Sequence, residues 1–273
     1  MPEILIVGAG YLSRFLIPAL RGGGFRVTAT SRSPERCVEL ERAGATAKTL
    51  HLDALESADW LGPHFDAVIY SAAAGRGGDR ELVFSSAPRR VLDRVASSRM
   101  NRFILTSSIG VYHREDGSWV DENSEPDAQA AKTPLLAGES ALPCAAVSVL
   151  RLAGLYGPSR SPVSWMQDPE RRARIAKGHP NGYVNWVRIE DVVEAILQVL
   201  HHRNPARLYN VVDDEPAVRQ EFYDLACTLG GSARLELAGR GSLGKRVSNA
   251  RLKSELDWRP RFPSYREGLA DLT

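Results

Sequence analysis

A short apolar run that ends in a glycine-rich turn limits the fold of this chain more than any other feature. Residues 4–7 read ILIV, and the turn of Gly8, Ala9 and Gly10 follows directly. Apolar residues then recur at helical spacing over residues 12–20. A short apolar run closed by glycine is typical of a buried parallel strand. The pattern therefore predicts a strand–turn–helix unit.

Strand-like and helix-like segments continue to alternate up to about residue 150. The strand-like segments are residues 25–29, 47–52, 66–70, 102–106 and 145–150, and the helical ones are 33–44 and 80–98. Ser33 before Pro34 is a typical helix start, because serine caps the first turn and proline fits its backbone. Such alternation with short connections predicts an α/β fold, with a doubly wound parallel sheet covered on both faces.

The glycine turn also has the arrangement that binds the diphosphate of a dinucleotide. Gly8 allows the tight bend, and Gly10 lets the backbone approach the phosphates. Tyr11 and Leu12 then begin a helix, whose N–H groups and positive dipole end attract an anion. Ser13 replaces the third glycine of the usual pattern and is small enough to keep the helix packed. A purely structural turn is the alternative to this Rossmann-type prediction.

The end of the second strand predicts which dinucleotide is bound. A site for NAD usually has an acidic residue there, which binds the ribose hydroxyl groups. Residues 28–33 read TATSRS and contain no acid, so that Ser31 and Arg32 stand in its place, with Arg36 nearby. Guanidinium and hydroxyl groups suit the additional phosphate of NADP. We predict NADP, with NAD as the alternative if Arg32 is only a solvated surface residue.

Composition excludes several classes of protein. The 273 residues carry a formal net charge of +2, which argues against a surface that neutralises nucleic-acid phosphates. The three cysteines form no CxxC pattern, so we expect neither a disulfide framework nor a metal site. This use of cysteine is consistent with a protein of the reducing cytoplasm. No apolar run reaches the ~18 residues of a membrane span. We expect a cytoplasmic protein without a signal peptide and without a membrane or nucleic-acid partner.

Residues 151–273 are less regular than the first part of the chain. A helix at 189–202, a strand at 208–212 and a helix at 218–229 are separated by glycine- and proline-rich stretches. We predict a dinucleotide-binding core of residues 1–150 and a smaller substrate-binding cap of residues 151–273. Some segments of the cap are expected to return to the core sheet.

Short motifs occur in a consistent order along nearly the whole chain. They are residues 8–13, 66–73, TSSIGVY at 106–112, LRLAGLYGP at 150–158, 187–192, 208–211 and 249–252. Together they resemble the short-chain dehydrogenase/reductase superfamily, in its extended NAD-dependent epimerase/dehydratase branch. The resemblance implies oxidoreductase or epimerase chemistry on a small molecule. A homodimer is the habit of that family.

The resemblance also implies roles for individual residues. Asp53 and Ala54 would lie beside the adenine. Ser71, Ala72 and Ala73 would line the channel for the ribose and pyrophosphate. Leu152 and Leu155 would lie beside the nicotinamide. Ser108 falls at the position of the catalytic serine. Asn185 and Arg188 would border the substrate pocket.

The chain departs from the family at its catalytic Tyr-x-x-x-Lys pair. The two positions fall at Ala131 and Leu135, neither of which can exchange a proton. The chain thus resembles the atypical members that lack the pair. A missing general acid costs about 10²–10⁴ in rate.

Two residues are candidates to replace the pair. Tyr112 lies four positions after Ser108, and Lys132 is one residue out of register. The alternatives are a pocket-wall aromatic and a solvated helix lysine. Arg160 follows the loop expected near the nicotinamide, where it could meet an anionic group of the substrate.

Two classes of function remain. The first is an NADP-dependent oxidoreductase or epimerase that acts on a small polar carbonyl or sugar-like substrate. The second is a non-catalytic NADP-binding protein that senses redox state and regulates a partner.

Overall fold

The structure is a computed structural model that describes residues 1–75, 77–96, 100–126 and 133–273. Its main strands are β1 (Glu3–Val7), β2 (Arg26–Ser31), β3 (Thr46–Thr49), β4 (Ala67–Tyr70), β5 (Arg102–Ser108), β7 (Val147–Leu152) and β11 (Leu208–Val211). Within the described residues these seven form one sheet in the order β11-β7-β5-β4-β1-β2-β3. The registers of β1 with β2 and of β1 with β4 are parallel. The predicted α/β fold with a doubly wound parallel sheet is confirmed.

The helices are α1 (Ser13–Gly22), α2 (Pro34–Arg42), α3 (Ala87–Val95), α4 (Pro134–Ala141), α5 (Pro162–Trp165), α6 (Pro169–Ile175), α7 (Ile189–His201), α8 (Arg219–Leu229), α9 (Ala250–Leu256) and α10 (Tyr265–Ala270). Of these, α1, α2, α3, α7 and α8 correspond to segments that the sequence predicts as helical. Ser33 caps α2 by accepting a hydrogen bond from the backbone N–H of Arg36, and Pro34 occupies the first helical position. In the described part of the chain, no helix is long and apolar enough to cross a membrane.

Short elements that the sequence pattern did not predict complete the fold. They are the strands β6 (Trp119–Val120), β8 (Gly154–Tyr156), β9 (Tyr183–Val184), β10 (Trp186–Arg188), β12 (Ala217–Val218) and β13 (Arg246–Val247), the 3₁₀ turns Leu55–Ser57 and Ile109–Val111, and the π-helical segment Leu82–Ser86. The small strands pair as β8 with β10, β9 with β12 and β6 with β13.

The chain divides into two compact units. The first comprises Met1–Val111, Ala128–Leu150 and Ile196–Leu208, and the second comprises Tyr112–Asp127, Arg151–Ala195 and Tyr209–Thr273.

The first unit packs β1, β4 and β5 around a core of buried aliphatic and aromatic side chains that includes Leu5, Val68 and Phe103. The helix α4 lies very close to the π-helical segment. A Cβ atom at Gly138 would overlap the carbonyl oxygen of Phe84 and lie 3.0 Å from its carbonyl carbon. Only glycine therefore fits at this position of α4.

The second unit has an aromatic core of its own. The ring of Trp186 stacks on that of Phe222 at 4.7 Å, and Phe222 also contacts Tyr265 at 5.4 Å. The buried Asp191 carboxylate accepts hydrogen bonds from the backbone N–H groups of Arg261 (2.6 Å) and Phe262 (3.2 Å). These bonds hold the segment before α10 against α7.

Candidate functional site

The glycine turn is held between the ends of β2 and β4. Gly8 has φ +84°, and a Cβ there would lie 2.6 Å from the Cβ of Ala72. Its N–H donates to Oγ1 of Thr30 (3.0 Å), and its carbonyl accepts a hydrogen bond from Oγ of Ser71 (3.0 Å). Only glycine fits this bend, as the sequence predicts. Sequence reasoning missed Thr30, because a threonine within a strand shows no special role until the turn folds against its hydroxyl.

The other end of the turn is open. A Cβ at Gly10 would have no atom within 4 Å. Ser13 is fully buried, and its hydroxyl donates to the carbonyl of Gly10 at 2.6 Å. The residue at the N-cap of α1 is the buried Leu12, and among the described residues no side chain caps this helix. The N–H groups of Arg14 and Phe15 donate to the carbonyls of Tyr11 (3.3 Å) and Leu12 (3.1 Å), so the backbone that can approach a ligand is the part of the turn before them. Tyr11 packs edge-on against Phe15 at 5.4 Å.

A cavity of about 460 Å³ opens over this turn in the first unit. It is lined by the turn, by the ends of β1, β2, β3 and β4, and by the start of the π-helical segment: Val7, Gly8, Ala9, Gly10, Thr30, Ser31, Arg32, Leu50, His51, Leu52, Asp53, Ser71, Ala72, Ala73, Asp79, Leu82 and Val83. A crevice at the carboxyl ends of the strands, where the strand order reverses between β1 and β4, is where open α/β sheets bind ligands.

The end of β2 brings polar groups into the cavity wall. Arg32 is exposed, lines the cavity and has no ion-pair partner among the described residues. Oγ of Ser31 accepts a hydrogen bond from the N–H of Ser33 at 3.1 Å. Asp53, predicted beside the adenine, also lines the cavity, while Ala54 is exposed next to it in the chain. The cavity wall thus carries a guanidinium that pairs with no described acidic residue, next to the position where the sequence predicts a second phosphate.

The wall formed by the π-helical segment was not predicted. Oδ1 of Asp79 accepts a hydrogen bond from the N–H of Leu82 at 2.9 Å, and both residues line the cavity. The buried hydroxyl of Tyr70 donates to the carbonyl of Val83 at 2.6 Å. An acid three residues before an apolar run is a helix-capping signal that could have located this wall.

Ser108 ends β5 and is half-buried. Its Oγ accepts a hydrogen bond from the N–H of Gly110 at 3.0 Å. The preceding Ser107 is buried and donates to Oε1 of Glu139 on α4 at 2.5 Å. Ser107 thus fixes the strand end next to Ser108, a contact that sequence reasoning missed. Of the other candidates on this side, Leu135 lies in α4, and Ala131 and Lys132 fall outside the described residues.

Tyr112 belongs to the second unit and is fully buried. Its hydroxyl donates to Oδ1 of Asn210 at 2.9 Å, and the guanidinium of Arg151 lies 4.7 Å from its ring centre. Burial raises the pKa of the Tyr112 hydroxyl, and the nearby Arg151 opposes this shift only in part. A buried hydroxyl that already donates to Asn210 is poorly placed to exchange a proton with a substrate.

Two predicted substrate contacts have structural roles in the second unit. Nδ2 of Asn185 donates to the carbonyl of Lys245 and its Oδ1 accepts from the N–H of Val247, both at 2.9 Å. The side chain of Arg188 is 1% exposed and pairs with Glu190 at 3.0 Å and Asp271 at 2.9 Å. The polar atoms of Asn185 and Arg188 are thus engaged inside the fold, and the predicted contacts of these residues with a substrate stay predictions.

The remaining predicted residues of the second unit are placed as follows. Leu152 is buried at the end of β7, and Leu155 is half-buried in β8. Arg160 is exposed in a tight turn, where its N–H donates to the carbonyl of Gly157 at 3.0 Å. Their predicted contacts with nicotinamide and substrate stay predictions.

A buried carboxyl group in the second unit has an unusual environment. Asp213 is 3% exposed, and neither of its carboxylate oxygens has a hydrogen-bond partner among the described residues. Burial raises the pKa of the Asp213 carboxyl well above its ordinary value, and the nearby acids Asp214 and Glu215 add to the shift. This environment favours the neutral form of the carboxyl over the charged form.

Comparison with known proteins gives a consistent set of similarities. Residues 8–138 match the family described as NAD(P)H-binding. Protein YeeZ of Escherichia coli (strain K12) is 28% identical, over 96% of this chain and 97% of YeeZ. A Methylobacillus flagellatus structure assigned as an NAD-dependent epimerase/dehydratase is 25% identical with a TM-score of 0.77, over 99% of this chain and 97% of that one. The human epimerase family protein SDR39U1, solved with NADPH, has the same fold at 19% identity, with a TM-score of 0.75 and coverage of 99% and 98%.

Proposed function

We propose that this NAD(P)-binding protein, whose structural neighbours belong to the NAD-dependent epimerase/dehydratase family, is an NADP-dependent oxidoreductase or epimerase of the atypical kind. Its proposed substrate is a small polar carbonyl or sugar-like compound. The observation that carries the proposal is the cavity over the glycine turn, with Arg32 and Ser31 in its wall.

The residues of the cavity fit a dinucleotide. Gly8 is required by its contact with Ala72, and the open side of Gly10 leaves room for a phosphate close to the backbone. In the proposal, the turn and the start of α1 hold the diphosphate, Asp53 lies along the adenine, and Ser71, Ala72 and Ala73 line the channel for the ribose. A nicotinamide dinucleotide bound there would supply a hydride donor or acceptor.

The preference for NADP rests on Arg32. This guanidinium is exposed at the cavity wall, and an arginine fork can bind two oxygens of a phosphate at once. We expect Arg32→Ala to weaken NADPH binding by at least tenfold, about 1.4 kcal/mol, and to leave NADH binding within about twofold. Both affinities are measured by titration calorimetry.

A matched control is available at the other end of β2. Arg26 begins β2, is also exposed, and pairs with Glu3 at 3.2 Å, at the opposite end of the strand from Arg32. Arg26→Ala should leave both affinities unchanged. Equal losses of NADPH and NADH binding in Arg32→Ala would refute the assignment of Arg32 to the second phosphate.

Catalysis is proposed to involve Ser108. Its Oγ accepts a hydrogen bond from Gly110 and donates none to the described residues, so its proton can be donated to a substrate carbonyl oxygen. Tyr112 and Lys132 remain candidates for proton transfer, although the bond from Tyr112 to Asn210 disfavours the tyrosine. Ser108→Ala and Lys132→Ala should lower turnover, whereas Tyr112→Phe tests the weaker candidate.

A turnover assay distinguishes the proposed enzyme from the alternative, a non-catalytic redox sensor. NADPH is mixed with a panel of ketones, and NADP⁺ with a panel of nucleotide-diphosphate sugars, while the nicotinamide absorbance and the sugar products are followed. Tight NADPH binding without turnover of any compound would favour a non-catalytic redox sensor. Turnover that Ser108→Ala leaves unchanged would refute the catalytic role of Ser108.

A further inference from the structure

We infer that Arg36 is a positioning residue, whose guanidinium holds the glycine turn in the conformation that binds a diphosphate. The inference rests on the proposed dinucleotide-binding function. It assigns Arg36 a different role from its neighbour Arg32, although the sequence places both beside the same phosphate.

The guanidinium of Arg36 lies against the carbonyl side of the turn. Its Nε donates to the carbonyl of Ala9 at 3.2 Å, and its Nη2 donates to the carbonyl of Gly10 at 2.8 Å. Its Nη1 pairs with the carboxylate of Glu39, one helical turn further along α2. All three nitrogens are thus engaged within the protein, and the side chain is only 17% exposed.

The sequence around Arg36 fixes where this side chain starts. Its N–H donates to Oγ of Ser33, the residue that caps α2, at 3.2 Å. The first turn of α2 is therefore anchored, and the Arg36 stem extends from a rigid position toward the turn. A planar fork at the end of such a stem can bind two adjacent carbonyls, which a single ammonium group cannot do in the same geometry.

Holding these carbonyls restricts the turn. The carbonyl of Gly10 accepts hydrogen bonds from both Arg36 and the buried Ser13 hydroxyl. Because the peptide unit is planar and trans, fixing the Gly10 carbonyl also fixes the direction of the Tyr11 N–H on the opposite side. Glycine residues otherwise have many backbone conformations open to them. Arg36 thus reduces the ordering that the turn must undergo when a diphosphate binds.

Arg32 has the complementary environment. It is exposed, lines the cavity and has no ion-pair partner among the described residues. Arg32 is thus available to a ligand, whereas Arg36 acts through the backbone that it holds. The two arginines should consequently respond to different parts of the same ligand.

The test compares ligands that contain one phosphate group or the other. NADH contains the diphosphate alone, 2′-AMP contains the second phosphate without a diphosphate, and NADPH contains both. Arg36→Ala should weaken NADH and NADPH by a similar factor, on the order of tenfold, and leave 2′-AMP unchanged. Arg32→Ala should weaken 2′-AMP and NADPH and leave NADH unchanged.

Two further variants separate the clamp from other effects of the substitution. Arg36→Lys keeps the charge but cannot bind both carbonyls, so it should lose NADH affinity nearly as Arg36→Ala does. Glu39→Gln removes the ionic partner of Arg36 and leaves both carbonyl bonds, so its affinities should match those of the unaltered protein. Thermal unfolding of each variant checks that it is folded. If Arg36→Ala does not fold, the comparison is made with Arg36→Lys.

Several results would overturn the inference. These are a selective loss of NADPH and 2′-AMP in Arg36→Ala, full NADH affinity in Arg36→Lys, or a loss in Glu39→Gln as large as in Arg36→Ala. If the unaltered protein bound neither NADH nor NADPH, the proposed function would fail together with this inference. Normal binding that Arg36 variants do not change would refute the inference alone.

Discussion

Alanine at Gly8 should lower the stability of the fold, whereas alanine at Gly10 should weaken ligand binding, although only one residue separates the two positions. At Gly8 the added methyl group would overlap Ala72, and the backbone has φ +84°. At Gly10 the methyl group would meet no atom within 4 Å, in a position that lines the cavity. The first change therefore strains the fold, and the second places a methyl group in the proposed ligand site.

The expected magnitudes follow from these two environments. A left-handed backbone costs an alanine about 1–2 kcal/mol, and overpacking against Ala72 adds about 1–3 kcal/mol. Gly8→Ala should therefore lower the free energy of unfolding by about 2–5 kcal/mol, with a decrease in Tm on the order of 10 °C. Gly10→Ala should change it by no more than about 0.5 kcal/mol. Its NADPH and NADH affinities should both fall by at least about tenfold, which corresponds to 1.4 kcal/mol.

Thermal unfolding without ligand and titration calorimetry with both nucleotides measure the two effects separately. Gly22→Ala is a useful control, because a Cβ there also has no atom within 4 Å and Gly22 ends α1 away from the cavity. It should change neither quantity appreciably. The reasoning fails if Gly10→Ala binds both nucleotides normally, or if Gly8→Ala is as stable as the unaltered protein.

Three further substitutions test the second unit. Because burial raises the pKa of Asp213 in the folded state, the free energy of unfolding should fall as pH rises above about 4, the ordinary aspartate value, until the folded-state pKa is passed. Asp213→Asn removes this dependence, so thermal unfolding should show a larger gain in Tm at pH 8 than at pH 5, and equal gains would contradict the shift. Tyr112→Phe leaves the buried Oδ1 of Asn210 without its donor and should cost about 1–3 kcal/mol in urea unfolding, with nucleotide affinities unchanged. Arg188→Met removes the buried partner of Glu190 and Asp271 and should cost about 3 kcal/mol in the same assay; a loss below 1 kcal/mol would indicate that the ion pairs contribute little.

The sequence predicts the sheet of the first unit well, because its signals are local. The apolar run at residues 4–7 lies within β1 (Glu3–Val7), and the Ser33–Pro34 signal marks the start of α2. The glycine turn is equally readable, since the requirement for glycine at position 8 follows from a strand that must turn into a helix. These features depend on residues that are close together in the chain.

The rest depends on contacts between distant residues. β6 and β13 consist of two residues each and pair Trp119 with Arg246, across more than a hundred positions, so neither shows a strand pattern of its own. Arg188 reads as a charged residue near a pocket until Asp271, 83 positions later, pairs with it. Tyr112 likewise reads as an accessible aromatic until Asn210 binds its hydroxyl. Charge and hydrogen-bond partners of this kind are set by the folded topology.

The close contact of Gly138 with Phe84 has a mechanical consequence. Leu82 and Val83 form part of the cavity wall. The carbonyl of the next residue, Phe84, packs directly against the backbone of Gly138 in α4, because glycine has no side chain to separate them. Well-packed interiors transmit displacement because they contain little free space. A shift of that wall toward α4 should therefore displace α4, and with it the carboxylate of Glu139 that accepts the hydrogen bond from Ser107 at the end of β5.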